Sequence, residues 1–370
     1  MDKVLILTEN VGGIGHFGAA LSLKKGLNMI NPDLHVEVAC GLPYVSKQLA
    51  VFLRKVYLNT LKYAPALWGM AYAKESYFSQ LFSTPVGKMI GHKLKDFVER
   101  INPQVIVCTH AFCIGALAYV RERTRRPFRI GVAITDFDVN GFWVHPEVDF
   151  YLVAHSALIE KINRRYHIPE GKIFCTGIPI DPAFSVSGRS KHLLRIKLNL
   201  DPDRFTVLIM GGGMGMGPVE ECINIFREKM PDIQLIVVTG KNRPLYERLR
   251  CKYNQDVRVC LFGFIEDMAA IMKAADIVVS KAGGLTSSEA LATGLPILIC
   301  QPIPGQEERN SRFLLEQQVA IRQDQPSFIP RELTTFVQNK HVLHSLSEQA
   351  LKIGKPYSSF HGAEVIINHL

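Results

Sequence analysis

The chain has 370 residues, 47% of them hydrophobic and 21% charged, with 28 glycines and 20 prolines. That length exceeds one ordinary domain and suffices for two sizeable cores, while the composition excludes disordered, fibrous and low-complexity proteins. A formal charge of +9 points to an anionic partner, whether nucleic acid, anionic bilayer or phosphorylated substrate, and does not choose among them.

The amino terminus, MDKVLILTENVGGIG, mixes charge into its apolar run and passes straight into a glycine loop, unlike a secretory signal. Short β-branched runs bounded by Gly, Asn, Asp or Pro then alternate with longer amphipathic stretches, the pattern of βαβ units around a parallel sheet. The first series is VLILT (4–8), HVEVAC (35–40), VIVCTH (105–110), RIGVAITD (129–136), FYLVAH (150–155) and IFCTG (173–177). Pro and Gly interrupt both periodicities over 178–200, which reads as an interdomain linker. The second series is FTVLIMGG (205–212), IQLIVVTG (233–240), VRVCLFGF (257–264), IVVSKAGG (277–284) and PILICQP (296–302). The expectation is an α/β protein of two doubly wound, Rossmann-like domains, 1–180 and 201–355, with 181–200 as the linker and a helix over 356–370 packing back onto the first domain. In such a pair the ligands bind at the carboxyl ends of the strands, which predicts a cleft between facing sheets.

Eight cysteines are scattered through apolar runs without any CxxC pair, so neither a zinc site nor a disulfide framework is expected. The longest uncharged stretch in the middle of the first half, YAPALWGMAYA, is far shorter than the roughly 20 residues that span a bilayer. A soluble protein of a reduced compartment is expected.

Three loops that follow strands hold residues suited to chemistry. After the first run, Gly13 and Gly15 lead into a helix whose backbone N–H groups face an anion or a developing oxyanion. No acidic residue closes the second strand, so this loop is weak evidence for a dinucleotide. His16 stands at the helix start, where the dipole disfavours imidazolium and suits a neutral general base; the plainer reading is a solvated first-turn residue. The second loop carries Gly211, Gly212, Gly213, Gly215 and Gly217 directly before a helix, a density that lets backbone approach a pyrophosphate, although one or two glycines would serve a simple turn. The third runs SKAGGLTSSEAL (280–291), in which Gly283, Gly284, Thr286 and Ser287 form a second anion-binding helix start and Glu289 is placed to accept from ribose hydroxyls. Gln306, Glu307 and Asn310, after the next strand, suit sugar hydroxyls. Plainer roles exist for single members, a favourable dipole contact for Glu289 and a cap for Gln306. Gly240 and Asn242, at and after the end of IQLIVVTG, join the expected donor-binding set.

These motifs together resemble the processive diacylglycerol glycosyltransferases and the related monogalactosyldiacylglycerol synthases, which are similar in turn to the undecaprenyl-linked N-acetylglucosaminyltransferase of peptidoglycan synthesis. The resemblance covers nearly the whole chain. It rests on GIGH (13–16), TDF (135–137), WVH (143–145), GGG (211–213), GF (263–264), KAGGLTSSE (281–289) and PGQEERN (304–310). It implies a GT-B fold and an inverting transfer of glucose or galactose from a UDP-sugar to diacylglycerol or a similar lipid. By the same resemblance His16 is the general base, the backbone of Gly263, Phe264 and Ile265 recognises uracil, the loops at Gly211 to Gly215 and at Gly283 to Thr286 hold the diphosphate, and Lys281 belongs to the donor-binding set. Glu289 then contacts ribose, Gln306 and Glu307 the donor sugar, and Trp143 and His145 lie on the acceptor side. Asp136, Phe137 and Asp138 spell DxD, which binds metal in another glycosyltransferase fold; here Asp136 is expected to orient His16 or the acceptor, with no metal and no cofactor required. The alternatives are a UDP-sugar epimerase of the same fold, an N-acetylglucosaminyltransferase acting on a polyprenyl-linked acceptor, and a nucleotide-binding membrane protein that turns nothing over.

From 44 to 99 basic residues, among them Lys47, Arg54, Lys55, Lys74 and Lys88, interleave with Phe52, Tyr57, Trp68, Tyr72 and Phe82. That mixture suits an interfacial element on an anionic leaflet, where each basic residue contributes about 1 kcal/mol, or else an ordinary amphipathic helix pair facing the first core. Nucleic acid ranks below the bilayer because no recognised nucleic-acid module appears. The expected location is cytoplasmic and peripheral, on the inner face of the cell membrane.

Overall fold

The computed structural model describes residues 2–9, 13–64, 69, 87–124, 127–186, 188 and 190–370. Within the 44–99 stretch, residues 65–68 and 70–86, and with them Trp68, Tyr72, Lys74 and Phe82, lie outside the described residues.

The chain separates into two compact units: Met1–Pro182 with Pro304–Gln306 and Tyr357–Leu370, and Ala183–Ile303 with Glu307–Pro356. In the first unit the elements are β1 (Lys3–Thr8), α1 (Gly15–Ile30), β2 (His35–Cys40), α2 (Gly41–Val45), α3 (Lys47–Tyr63), α4 (Gly87–Ile101) and β3 (Val105–Cys108). They continue with α5 (Ile114–Arg121), β4 (Arg129–Ala133), β5 (Phe150–Leu152), α6 (Ala157–Tyr166) and β6 (Ile173–Phe174). Its sheet has the order β2-β1-β3-β4-β5-β6, and every pairing is parallel.

The second unit runs α7 (Lys191–Lys197), β7 (Thr206–Met210), α8 (Val219–Lys229), β8 (Gln234–Val238), α9 (Arg243–Tyr253), β9 (Val259–Phe262), α10 (Met268–Ala274) and β10 (Ile277–Ser280). After these come α11 (Gly284–Ala292), β11 (Ile297–Ile299), α12 (Gln306–Glu316), β12 (Ala320–Arg322), α13 (Ile329–Gln338) and α14 (Lys340–Ile353); α15 (Ser358–Ile367) returns to the first unit. The second sheet has the order β12-β11-β10-β7-β8-β9, again wholly parallel. This is the strand order of a Rossmann sheet.

Parallel strands covered by helices on both faces must be apolar on both, which is why the strands read as unbroken hydrophobic runs rather than alternations. Val4 to Leu7 and Val105 to Cys108 have no exposed surface. In the first core Ile6, Leu23, Leu27, Val107 and Phe150 meet Ala363 and Ile366 of α15; in the second Val207, Ile223, Phe226, Val237 and Leu249 meet Ile329 and Leu333. At about 25 cal/mol for each Å² of apolar surface removed from water, burial of this kind is the main favourable contribution to both cores.

Contact between α15 and α1 depends on Gly26, because a Cβ there would lie 2.6 Å from the Ser359 carbonyl oxygen. Ser358 Oγ accepts from the Ile180 amide at 3.2 Å, Ser359 Oγ donates to the Ile180 carbonyl, and the His369 ring lies 4.2 Å from that of Phe150. Residues 183–200, read from sequence as linker, belong to the second unit. There Arg195, 4% exposed, donates to the Ala274 carbonyl at 2.8 Å and to Asp276 at 2.6 Å. Among the described residues no helix is long and apolar enough to cross a membrane.

Candidate active site

Each sheet has a point where consecutive connections leave in opposite directions, and the strands on either side open a crevice at their carboxyl ends. In the first sheet that point lies between β1 and β3, in the second between β7 and β10. The glycine loops found in the sequence stand at these two places.

At the first, His16 is the second residue of α1, and half-buried. Its Nδ1 lies 2.6 Å from Thr135 Oγ1, just past β4, while Thr109 Oγ1, just past β3, donates to the His16 carbonyl at 2.9 Å. The His110 ring stands edge-on to His16 with centroids 4.7 Å apart, and the Trp143 ring lies at 6.0 Å. Burial, the larger influence, pulls the His16 pKa down to about 4, and a hydrogen bond with the Thr109 backbone opposes it. His16 is therefore neutral near pH 7, as expected from the sequence, but desolvation rather than the helix dipole is the main cause. Burial and the neighbouring His16 hold His110 well below the usual histidine range; its Nδ1 accepts from the Phe112 amide at 3.2 Å.

Asp136 is 9% exposed and Trp143 4%. Asp138, the second acid of the DxD, pairs with Lys161 Nζ at 2.5 Å. His145 is held through its backbone: its amide and carbonyl bracket the Tyr151 hydroxyl at 3.0 and 2.9 Å. Its Nδ1 accepts from the Glu147 amide at 3.2 Å, and burial lowers its pKa.

Glu9 is the residue here that sequence reading passed over. It sits at the carboxyl end of β1 with no exposed surface, Oε1 accepting from the Leu42 amide at 2.6 Å, and among the described residues Oε2 has no hydrogen-bond partner. Burial raises its pKa to about 7, against the opposing pull of that bond. Thr135, His110 and Thr109 were also missed as site residues. Their positions just after β4 and β3 were the available signal, and strand order is needed to use it.

In the second unit the loop after β7 turns as a short 3-10 segment, Gly212–Met214, followed by Gly215 in the left-handed region. The loop after β8 clamps it: the Lys241 amide donates to the Gly213 carbonyl at 2.9 Å and Asn242 Nδ2 to the Gly215 carbonyl at 3.3 Å. The same Asn242 accepts from the Leu245 amide at 3.1 Å and so begins α9. Gly240, with φ 58°, allows the two loops to touch, since a Cβ there would lie 2.5 Å from the Gly213 carbonyl oxygen.

Across the switch point α11 begins at Gly284 with Gly283 before it and no side chain capping it, leaving backbone amides at its start for an anion. Thr286 and Glu289 are half-buried on its first turns. Lys281 Nζ meets Glu307 Oε1 at 3.0 Å, the Ile303 amide donates to Glu307 Oε2 at 2.7 Å, and Asn310 Nδ2 donates to the Ala282 carbonyl at 3.1 Å. Glu307 and Asn310 thus shape the loops after β10 and β11, while Gln306, at the start of α12, is half-buried. Beyond β9, Gly263 and Ile265 are half-buried and Phe264 is 58% exposed, with Lys241 Nζ 5.4 Å from its ring centroid. Of the donor-side positions read from the sequence, Gly13 and Gly15 follow β1 in the first unit, and all the others lie after one of the strands β7 to β11.

Residues 16–180 match the family model for monogalactosyldiacylglycerol (MGDG) synthase, and residues 206–355 match the glycosyltransferase family 28 C-terminal domain. A processive diacylglycerol beta-glucosyltransferase of Bacillus subtilis is 28% identical over 351 residues, covering 94% of this chain and 90% of its own. Its counterpart in Bacillus cereus is 28% identical over 377 residues, 100% of this chain and 94% of its own. Among solved structures, MurG of Acinetobacter baumannii superposes with a TM-score of 0.61 at 13% identity, covering 100% of both chains. The S. aureus MnaA-UDP co-structure gives 0.64 at 14% identity, over 100% of this chain and 96% of the other. At such identities these two likenesses establish the fold alone, which is that of the GT-B glycosyltransferases.

Proposed function

Because the chain belongs to the family that joins a monogalactosyldiacylglycerol synthase domain to a glycosyltransferase family 28 C-terminal domain, we propose that it transfers a hexose from a UDP-sugar to diacylglycerol, forming a β-glycosyl glycolipid. The names of its curated relatives favour glucose as the sugar. The observation that carries the mechanism is the half-buried imidazole of His16 at the head of α1, held neutral by desolvation.

In the transfer, His16 takes the proton of the lipid hydroxyl as that oxygen bonds to the anomeric carbon. The bond from that carbon to the β-phosphate oxygen breaks with its electron pair, UDP leaves, and the configuration inverts. The amides opening α11 and the glycine loop after β7 stabilise the departing diphosphate, with no metal in the step. Pairing of Asp138 with Lys161 supports leaving metal out. The first matched domain, that of a lipid glycosyltransferase, weighs against the epimerase alternative.

The reading includes docking on the inner face of an anionic membrane. Its support is α3, where Phe52, Val56 and Tyr63 share one helical stripe and are 61%, 44% and 74% exposed, with exposed Lys55 at the flank of the stripe. Substituting Phe52→Asp is expected to weaken sedimentation with anionic vesicles at least several-fold while leaving UDP affinity intact. Unchanged sedimentation would remove α3 from the docking surface.

The activity is tested by giving the full chain diacylglycerol vesicles and a panel of labelled UDP-sugars. One UDP-hexose should deliver label to the lipid phase, and His16→Ala should abolish transfer while retaining UDP binding. Transfer from none of them would end the proposal.

A further inference from the structure

We propose that Thr135 is a positioning residue for the transfer, its hydroxyl holding Nδ1 of His16 so that Nε2 is the nitrogen presented to the acceptor. The inference rests on the reading of His16 as general base.

The geometry fixes His16 from two strands. Thr135 Oγ1, on a residue 4% exposed, holds the ring at 2.6 Å from the end of β4, and Thr109 Oγ1 holds its carbonyl at 2.9 Å from the end of β3. The edge-on His110 ring, with its own Nδ1 occupied by the Phe112 amide, closes one side of the imidazole. With Thr135 at Nδ1, Nε2 is the nitrogen that the proposal gives to the substrate proton.

Proton bookkeeping then assigns the hydroxyl its task. The lipid O–H bond breaks and an Nε2–H bond forms, giving an imidazolium with N–H at both nitrogens. The step requires that the neutral ring already carries its proton on Nδ1, so Nδ1–H donates to Thr135 Oγ1 before the transfer and in the imidazolium alike. After UDP has left with the electron pair of the anomeric bond, Nε2 returns its proton to solvent. A neutral hydroxyl steadies the cation less than a carboxylate would, so His16 stays a weak base that discharges readily. The titratable ring facing it is His110, and Asp136, buried, follows Thr135 in the chain.

The test compares Thr135→Val, Thr135→Ser and His16→Ala in the full chain, on diacylglycerol vesicles with the active UDP-sugar, with kcat and KM measured across pH. Thr135→Val should lower kcat about ten-fold, the value of one hydrogen bond to a charged group, with KM for the UDP-sugar within about two-fold. Its acid limb should move to lower pH, because the imidazolium has lost its acceptor. Thr135→Ser should restore kcat and the limb. If His16→Ala is inactive yet Thr135→Val retains full kcat, positioning fails and the base reading stands; if His16→Ala is fully active, both fall. Nitrogen-15 NMR of the histidines decides the case independently of folding in the variants: an Nδ1–H tautomer of His16 with that proton hydrogen-bonded supports the assignment, and an Nε2–H tautomer, or an Nδ1 free of any hydrogen bond, overturns it.

Discussion

Lys281, in the loop after β10, and Glu307, in the first turn of α12, form an ion pair at 3.0 Å, with side chains only 12% and 9% exposed. The second carboxylate oxygen is taken by the Ile303 amide at 2.7 Å, so Glu307 is satisfied on both sides. A pair of this kind adds little net stability over an apolar pair, but removing one member strands the other charge. Lys281→Met should therefore cost about 3 kcal/mol in urea unfolding and weaken UDP binding by calorimetry. The double variant Lys281→Met with Glu307→Gln should recover much of that stability, and a single variant as stable as the parent would show the pair to be energetically idle.

The donor loop depends on a close backbone approach. Gly240→Ala forces a Cβ to within 2.5 Å of the Gly213 carbonyl oxygen at a residue whose φ is 58°. Both the contact and the left-handed backbone disfavour it, so the glycine loop must shift. UDP affinity is expected to fall about ten-fold, equivalent to about 1.4 kcal/mol, while transfer remains measurable at saturating UDP-sugar. Calorimetry with UDP reads this directly, and unaltered affinity would mean that the clamp is not needed for the nucleotide.

Catalysis should persist well below the ordinary histidine range. With its pKa pulled to about 4 by burial, His16 is mostly neutral at pH 5, where an exposed histidine is mostly protonated. The acid limb of kcat/KM is expected near 4 rather than near 6.5. A pH–rate profile on vesicles of constant composition measures it, and a limb near 6.5 would mean that the ring is solvated in the working enzyme.

Glu9 makes stability depend on pH in the opposite sense to most carboxyls. Its folded pKa, about 7, lies above its ordinary value of 4.5. Between those values the folded state holds the extra proton, so the contribution is complete below 4.5 and is lost as pH rises through 7. The difference corresponds to about 3 kcal/mol. Glu9→Gln should accordingly flatten the fall in unfolding free energy between pH 5 and 8, with Oε1 still accepting from the Leu42 amide. A variant whose pH dependence matches the parent would show that Glu9 is solvated in the native protein.

Much of the architecture could be read in advance because parallel strands buried on both faces leave unbroken apolar runs. The expected starts fall within two residues of the observed ones, from HVEVAC at β2 to IVVSKAGG at β10. The ends overran: VIVCTH stops pairing at Cys108, RIGVAITD at Ala133 and IVVSKAGG at Ser280. Residues past those points stay buried, as Thr109, Ile134 and Thr135 do, so hydropathy does not register where the ladder stops. The three-residue β12 was not foreseen, being too short to carry a period. Residues 183–200 lacked periodicity and read as linker, although Arg195 anchors them through partners far along the chain.

The sequence by itself determined the kinds of groups available: glycine loops after strands, a histidine at a helix start, hydroxyls opening another helix, and acids in the loop after β11. Those features are local, set by backbone freedom and helix-end electrostatics within a few neighbouring residues. Tertiary structure alone decided which of them meet. Strand order brings Thr135 and His110 to His16 from 119 and 94 positions away, encloses Glu9 beneath α2, and closes Lys281 on Glu307. The reason is physical: hydrogen bonds and desolvation act over a few ångströms of space, and a parallel sheet sets those distances by the lateral order of its strands, which no stretch of sequence contains.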